Sequence, residues 1–365
     1  MASLEEFLEE WNNDSPYVEV KTSGSTGEPK RMMVEKKRML NSARITCDFL
    51  GLHEGDTALL CMSLDYIAGK MMVVRSIERG LRLISVEPSG HPLFRPPLAP
   101  PTQEGNSHLS PLTSHLSPLT SHLSFAAMVP MQVYNSLQVP EEKERLMQIK
   151  HLIIGGGAID EGMERELRGF PNAVWSTYGM TETLSHIALR RISGPEASEW
   201  YTPFPSVEIS QSPDGCLIIN APEVCPETLV TNDIVEIEDS IFPPKLGGNQ
   251  RGLNKSTNKR FRILGRKDNV ICSGGIKLQI EEIERELKPY VRVPYIISKR
   301  KDEKFGEIVV LLTEGSIEEA KAICDKYLPK YHIPKVYLHV DRIPLTETGK
   351  PARKTAEKIA CSDHP

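Results

Sequence analysis

A chain of 365 residues, 39% of them hydrophobic, is long enough for two domains that each bury a core. Its formal charge of −5 gives no general attraction to nucleic acid or to an anionic membrane, and no apolar run reaches the roughly 18 residues that a membrane-crossing helix needs. The opening MASLEEFLEEWNND lacks the basic and apolar character of a secretory leader, and the seven cysteines are scattered without a CxxC pair, so the expectation is a cytoplasmic protein with ordinary buried thiols and small-molecule partners.

Leu4, Phe7, Leu8 and Trp11 are spaced for one apolar face of a short helix over 3–12. Tyr17, Val18 and Val20 mark a strand, TSGSTGEPK (22–30) follows as a turn of small residues, and helical periodicity returns over 35–50. TALLCMSL and LRLISVE are compact apolar segments with a helix predicted between them, over 68–79. Strand, helix and strand in that order predict a mostly parallel α/β sheet. Residues 94–124 break the pattern: SHLSPLT occurs twice in tandem, at 107–113 and 114–120, before a partial copy. Proline in each full copy forbids a continuous helix and the unit is too short for a solenoid, so this stretch reads as an expanded loop.

Order resumes at FAAMVPMQVYNSL. HLIIGGGAI reads as a strand then a glycine turn, EGMERELRGF as a helix and AVWSTYG as a strand, while 205–242 is rich in β-formers and turns and predicts antiparallel hairpins. The polar stretch KLGGNQRGLNKSTNK (245–259) predicts a second loop. FRILGRKDNVICSGGIKLQIEEIERELK, two βα-like segments and a C-terminal tail follow. The expected class is therefore α/β: a large N-terminal α/β domain over 1–264, with mixed sheets and a β-rich portion, and a small C-terminal α+β domain over 265–365.

TSGSTGEPK does not fit the nucleotide P-loop pattern, because Glu28 and Pro29 displace Lys30. It nevertheless suits an anion: small residues permit close approach, the N–H groups of Gly24 and Gly27 can point inward, and the hydroxyls of Thr22, Ser23, Ser25 and Thr26 can donate. The stretch resembles the phosphate loop of the adenylate-forming enzymes, the superfamily of acyl-CoA synthetases, peptide-synthetase adenylation domains and luciferases. Four further signatures stand in that superfamily's order: GGGAI (155–159), YGMTET (178–183), GRKDNVICSGGIKLQIEEIE (265–284) and PLTETGKPAR (344–353).

That resemblance implies a fold, two substrates and a set of roles. ATP would be held by the 22–30 loop, with Gly155, Gly156, Gly157, Tyr178 and Gly179 lining the adenine site. Thr181 would reach the α-phosphate and Glu182 would hold Mg²⁺ on the triphosphate. TND (231–233) stands where relatives usually have TGD, which makes Asp233 the partner of the ribose hydroxyls, with Arg266 nearby, and implies a left-handed backbone at Asn232. Asp268 falls at the hinge of a mobile C-terminal domain, although Asn269 replaces the second acid usual there. Ser273, Gly274 and Gly275 would face the channel for CoA. Lys350 matches the lysine that stabilises charge as a carboxylate attacks phosphorus.

Relatives usually carry a much longer segment before the phosphate loop, whereas only 21 residues precede it here. In that respect, and in SLDYIAGKMMVVRSI, MVPMQVYNSL and TYGMTETLSHIAL, the chain resembles the short bacterial o-succinylbenzoate:CoA ligases of menaquinone biosynthesis. A dianionic aromatic acid needs a cation for the carboxylate that does not react and an apolar wall. Arg75, Lys70 and His186 are the candidate cations; Tyr66, Met71 and Met128 are the candidate wall, with Tyr66 standing where relatives often have histidine. Two other readings stay open: an enzyme that loads another acid onto CoA or a carrier protein, and a non-catalytic paralogue that binds ligand. The partners expected are a small carboxylic acid, ATP and CoA; whether copies associate into a homo-oligomer is left open by the sequence.

Overall fold

A computed structural model of the chain describes residues 2–21, 31–94, 123–239, 259–345 and 351–362. The phosphate loop Thr22 to Lys30, the SHLSPLT repeat, most of the 245–259 stretch and Lys350 lie outside the described residues. The chain divides into two compact units. The first comprises Met1–Ile209, Ile219–Leu229 and Glu238–Phe261, and the second Ser210–Ile218, Val230–Ile237 and Arg262–Pro365.

In the first unit, α1 (Leu4–Asn12) begins at a reciprocal cap: Ser3 Oγ accepts from the Glu6 amide at 3.1 Å and Glu6 Oε2 accepts from the Ser3 amide at 2.8 Å. β1 (Tyr17–Lys21) and β2 (Arg31–Glu35) form an antiparallel ribbon. After α2 (Lys36–Leu50) come β3 (Thr57–Leu60), α3 (Ile67–Arg79), β4 (Arg82–Ser85), β5 (Phe125–Met128), α4 (Pro130–Gln138), α5 (Pro140–Gln148), β6 (His151–Ile154), α6 (Glu161–Leu167), β7 (Ala173–Gly179), β8 (His186–Arg191) and β9 (Thr202–Pro203). These strands make a seven-stranded sheet in the order β4-β3-β5-β6-β7-β8-β9. It is parallel from β4 to β7 and antiparallel at β8 and β9.

The parallel strands read as continuous apolar runs because both faces are covered. Leu59, Ala126, Met128, Leu152, Ile154 and Val174 pack with Val133, Leu137, Leu146, Met163 and Leu167 of α4 to α6 in one buried cluster. Each Leu, Ile, Val or Met side chain so withdrawn from water is worth about 1.5–3 kcal/mol. α6 is tied to β8 by a bidentate pair, Arg190 Nη1 and Nη2 each 2.8 Å from a Glu164 carboxylate oxygen.

β10 (Glu208–Gln211), β11 (Cys216–Asn220), β12 (Leu229–Asp239) and β13 (Lys259–Arg266) form a four-stranded sheet in chain order, whose residues are divided between the two units. The rest of the second unit holds β14 (Val270–Ser273), β15 (Ile276–Gln279), α7 (Ile280–Leu287), β16 (Tyr295–Asp302), β17 (Gly306–Thr313), α8 (Ile317–Tyr327), β18 (Val336–His339) and α9 (Arg353–Cys361). Their sheet runs β15-β14-β17-β16, with β18 parallel beside β17. The expected mixture of parallel and antiparallel sheets is present, with two local differences. β16 and β17 pair as an antiparallel hairpin instead of opening two βα units. The C-terminal tail is helical from Arg353, because Ala356 and Ala360, one turn apart, bury against Ile296, Val310 and Leu312.

α9 is also held by charge. Both Arg353 amino groups meet the Glu284 carboxylate of α7 at 2.6 Å, and Nη1 donates to the Ile297 carbonyl of β16 at 3.1 Å. Arg353→Leu should therefore lower the stability of the second unit by about 2 kcal/mol, read as a lower urea midpoint. That is less than a fully buried pair would lose, because the two side chains keep 26% and 22% exposure. His151 gives a prediction of pH dependence. Burial first, then the charges of Lys150 and Arg191, push its imidazole down to about 4 from an ordinary 6.5, and Nδ1 has no partner among the described residues. Below 6.5 the unfolded chain takes up a proton that the folded chain refuses, so stability falls as the pH drops from 6.5 towards 4. His151→Gln should flatten that part of a urea-midpoint profile and leave the profile above 6.5 unchanged.

Candidate active site

β6 and β7 are neighbouring parallel strands, with Ile154 opposite Ser176, so their carboxyl ends deliver Gly155 to Gly157 and Tyr178 to Gly179 to one edge of the sheet. That edge is where open α/β sheets receive ligands. The glycines are there for space. A Cβ on Gly155 would lie 2.4 Å from Thr177 Oγ1, and one on Gly179 would lie 2.2 Å from the Ser185 carbonyl oxygen. The close approach at Gly179 coincides with a slip in the β7–β8 register at Tyr178 and Gly179.

The six residues between β7 and β8 form a tight and strained turn. Thr183, fully buried, accepts from the Met180 amide at 3.1 Å, and its Oγ1 lies 2.8 Å from the Ser185 carbonyl as donor. Leu184 sits at φ +64°, where a branched side chain costs about 1–2 kcal/mol, and it is held there by its own burial and by the bond from its amide to the Thr181 carbonyl at 2.9 Å. The turn leaves Thr181 half-buried and Glu182 exposed, and no hydrogen bond or ion pair engages the Glu182 carboxylate among the described residues. Such a carboxylate fits a hydrated divalent cation that retains several of its waters. Tyr178 is buried, its ring edge-on to Phe261 at 5.0 Å and to Tyr201 at 5.9 Å.

The candidate acyl-site residues separate into two environments. Lys70 Nζ donates to Glu10 Oε2 at 3.0 Å and to the Glu19 carbonyl at 2.7 Å, so its charge is already matched. Arg75, 2% exposed, has no carboxylate within ion-pair distance among the described residues. Its Nη2 donates to Ser185 Oγ at 2.6 Å and its guanidinium lies 6.0 Å from the Phe125 ring centre; among the described residues Nη1 has only the Met72 sulfur at 3.8 Å and Nε has no partner. Burial pushes the guanidinium down to about 10. His186, 7% exposed, lies 3.2 Å from Ser185 Oγ through Nδ1 and 3.2 Å from Thr46 Oγ1 through Nε2, and burial followed by the Arg75 charge keeps it well below its usual titration range. The imidazole is therefore neutral. Of the candidate wall, Met71 and Met128 are buried, Met128 within the core cluster of the sheet, while Tyr66 stays partly exposed at the start of α3.

In the second unit, Asp233, Arg266, Asn232 and Asp268 are brought together. Arg266 Nη1 donates to Asp233 Oδ1 at 2.8 Å, and Asn232 Nδ2 donates to Asp268 Oδ2 at 3.0 Å, with Arg266 Nη2 3.5 Å from the same oxygen. Asn232 corrects the sequence expectation: it is not left-handed, but a residue of β12. Its amide earns the position by holding Asp268, a tertiary bond that TND as a string does not reveal. Ser273 ends β14, and Gly274 and Gly275, at φ +58° and +85°, make the tight turn into β15. The geometry at Gly179 yields a direct check on the turn: Gly179→Ala should cost about 1–3 kcal/mol, read as a lower melting midpoint, whereas Gly169→Ala, whose Cβ would meet nothing nearer than 3.7 Å, should not.

The family model of the AMP-binding enzymes matches residues 4–210, more than half of the chain. A 2-succinylbenzoate–CoA ligase of Listeria monocytogenes is 26% identical over 357 residues, which cover 94% of this chain and 70% of that one. The enzyme of the same name from Bacillus subtilis is 26% identical over 348 residues, covering 90% and 66%. Among solved structures, an AMP-forming acyl-CoA synthetase/AMP-acid ligase II-like protein from Dyadobacter fermentans superposes with a TM-score of 0.57 at 29% identity, over 98% of this chain and 93% of that one. The o-succinylbenzoate CoA synthetase of Bacillus subtilis, solved with ATP and magnesium, gives a TM-score of 0.64 at 21% identity, over 92% and 68%. The chain belongs to the AMP-binding enzyme family, with the α/β fold of the adenylate-forming superfamily, and its enzyme class is that of the AMP-forming acid–thiol ligases.

Proposed function

We propose that this protein converts o-succinylbenzoate, ATP and CoA to o-succinylbenzoyl-CoA, AMP and pyrophosphate in menaquinone biosynthesis, in the cytoplasm. A carboxylate is a poor electrophile. In the first step one carboxylate oxygen of the acid attacks the α-phosphorus of ATP and pyrophosphate leaves; in the second the CoA sulfur, its proton lost to solvent, attacks the acyl carbon and AMP leaves. Thr22 to Lys30 grip the departing pyrophosphate, Thr181 steadies the α-phosphate, and Lys350 places its ammonium where negative charge builds as the first bond forms. Glu182 would hold magnesium, which when bound would screen the phosphate charges. Gly155 to Gly157, Tyr178 and Gly179 receive the adenine, and Asp233, steadied by Arg266, accepts from the ribose hydroxyls. Asp268 keeps the hinge role that the resemblance implies, and Ser273 to Gly275 border the path of the CoA arm, where glycine lets a thin ligand run beside the backbone.

The observation that favours a diacid is the state of Arg75. A guanidinium taken out of water without a carboxylate costs several kcal/mol, and that cost is recovered when an anion arrives. Arg75 is buried and, among the described residues, has no carboxylate partner and no hydrogen-bond partner at Nε, and it neighbours Ser185, the residue that leads out of YGMTET. A second substrate carboxylate meets this need and an acid with only one does not. The 26% identity to ligases named for 2-succinylbenzoate supports the same acid.

ATP–pyrophosphate exchange across a panel of acids tests the proposal. o-Succinylbenzoate should support exchange with a kcat/KM about tenfold or more above either singly carboxylated analogue, o-butanoylbenzoate or 3-benzoylpropanoate, a margin in keeping with one charge-assisted contact. An analogue that matches or exceeds it would overturn the substrate assignment. Lys350→Ala should lower exchange about 10²-fold or more, the usual loss on removing one transition-state donor, and unchanged exchange would remove Lys350 from the mechanism.

A further inference from the structure

Arg75 is one end of a hydrogen-bond chain that runs through the first unit. Its Nη2 donates to Ser185 Oγ at 2.6 Å; Ser185 Oγ lies 3.2 Å from His186 Nδ1; His186 Nε2 lies 3.2 Å from Thr46 Oγ1; and Thr46 Oγ1 is 3.0 Å from the Ser42 carbonyl one helical turn back on α2. Each hydroxyl has a single proton to give. The Ser42 carbonyl has none, so the Thr46 proton goes there and Thr46 can only accept from His186. The hydrogen on the imidazole is then on Nε2. Nδ1 is left with its lone pair, which takes the Ser185 proton, and the Ser185 oxygen turns lone pairs alone towards Arg75. One direction satisfies every member of the chain. It requires a neutral ring, and burial together with the nearby Arg75 charge supplies one.

We infer that His186 is a positioning residue for selection of the diacid: as the Nε2–H tautomer, anchored by Thr46, it orients the Ser185 hydroxyl so that Arg75 is fixed by Nη2 and presents its unpartnered Nε to the second carboxylate of the substrate. The inference rests on the reading of Arg75 given under Proposed function. It replaces the simpler idea that His186 itself binds the carboxylate, because both ring nitrogens are already engaged inside the protein. It also explains why a histidine and a threonine, neither paired with a charge, are buried side by side between α2 and β8. A guanidinium on a long flexible side chain loses selectivity when its rotamers are free, and a directional acceptor on one arm removes that freedom.

The test is the ratio of kcat/KM for o-succinylbenzoate to that for 3-benzoylpropanoate in ATP–pyrophosphate exchange, measured on the full chain. His186→Leu should lower the ratio about tenfold, equivalent to about 1.4 kcal/mol, chiefly through KM for the diacid. His186→Asn, whose Oδ1 can still accept from Ser185, should recover it to within about threefold of the parent. Thr46→Val, a near-isosteric loss of one hydroxyl, should lower it about threefold even if the leucine variant does not fold, and ¹⁵N-histidine spectra of the parent should place the His186 proton on Nε2. The inference is overturned if Thr46→Val keeps the parental ratio, if the leucine and asparagine variants are alike, or if the proton is on Nδ1. Arg75→Gln separates it from the reading beneath it. If that change leaves the ratio intact, the assignment of Arg75 to the second carboxylate is wrong; if it abolishes the preference while His186→Leu does not, only the positioning role of His186 is wrong.

Discussion

A guanidinium withdrawn from water has lost hydration worth many kcal/mol, and proteins ordinarily restore it with a carboxylate and several hydrogen bonds. Elsewhere in this chain they do: Arg190 meets Glu164, and Arg353 meets Glu284, each through both arms. Arg75 is more deeply buried than either and has a serine hydroxyl, a thioether and an aromatic ring instead. Around that one uncompensated charge the neighbouring features make sense. The strained Leu184 turn brings Ser185 into reach, the glycine at 179 allows the turn to close on β8, and the neutral His186 receives the serine proton without adding a second positive charge.

The scaffold that holds this arrangement is the parallel part of the seven-stranded sheet, whose strand ends present the glycine turn and YGMTET side by side. Strain in the turn is tolerable because it is overdetermined: Thr183 is buried and bonded to both ends of the turn, and β8 is tied to α6 by charge. The link from packing to chemistry is thus short. Burial of β6, β7 and β8 holds the backbone on either side of the turn that is proposed to meet the phosphates, while Glu182 is left exposed and unpaired among the described residues.

Much of this was legible in the sequence, for reasons that can be named. The strand-helix-strand order around Ile67 to Arg79, the glycine turn after β6 and the hairpins after residue 205 all follow from periodicity and turn residues, which are local properties. The order of five motifs carried the family. What the sequence did not disclose is tertiary. Lys70 and Arg75 stand five residues apart on one helix and look equivalent as candidate cations, yet Glu10, sixty residues before Lys70, neutralises one and leaves the other. Asn232 looked like a substitute for glycine, and its amide instead holds Asp268 across 36 residues of chain. The helix α9 is hidden in a polar segment because its fully buried residues are two small alanines, 356 and 360. Leu184 at positive φ has no sequence signal at all.

The central claim is that the unmatched charge of Arg75 exists to read a second carboxylate, and a crystal structure of the protein with o-succinylbenzoate and a non-hydrolysable ATP analogue measures it most directly. The quantity is the distance from the unreacted carboxylate to Arg75 Nε. The account predicts about 2.7–3.0 Å, a charge-assisted hydrogen bond, with Nη2 still on Ser185. A carboxylate held elsewhere, with Nε still without a partner, would contradict it.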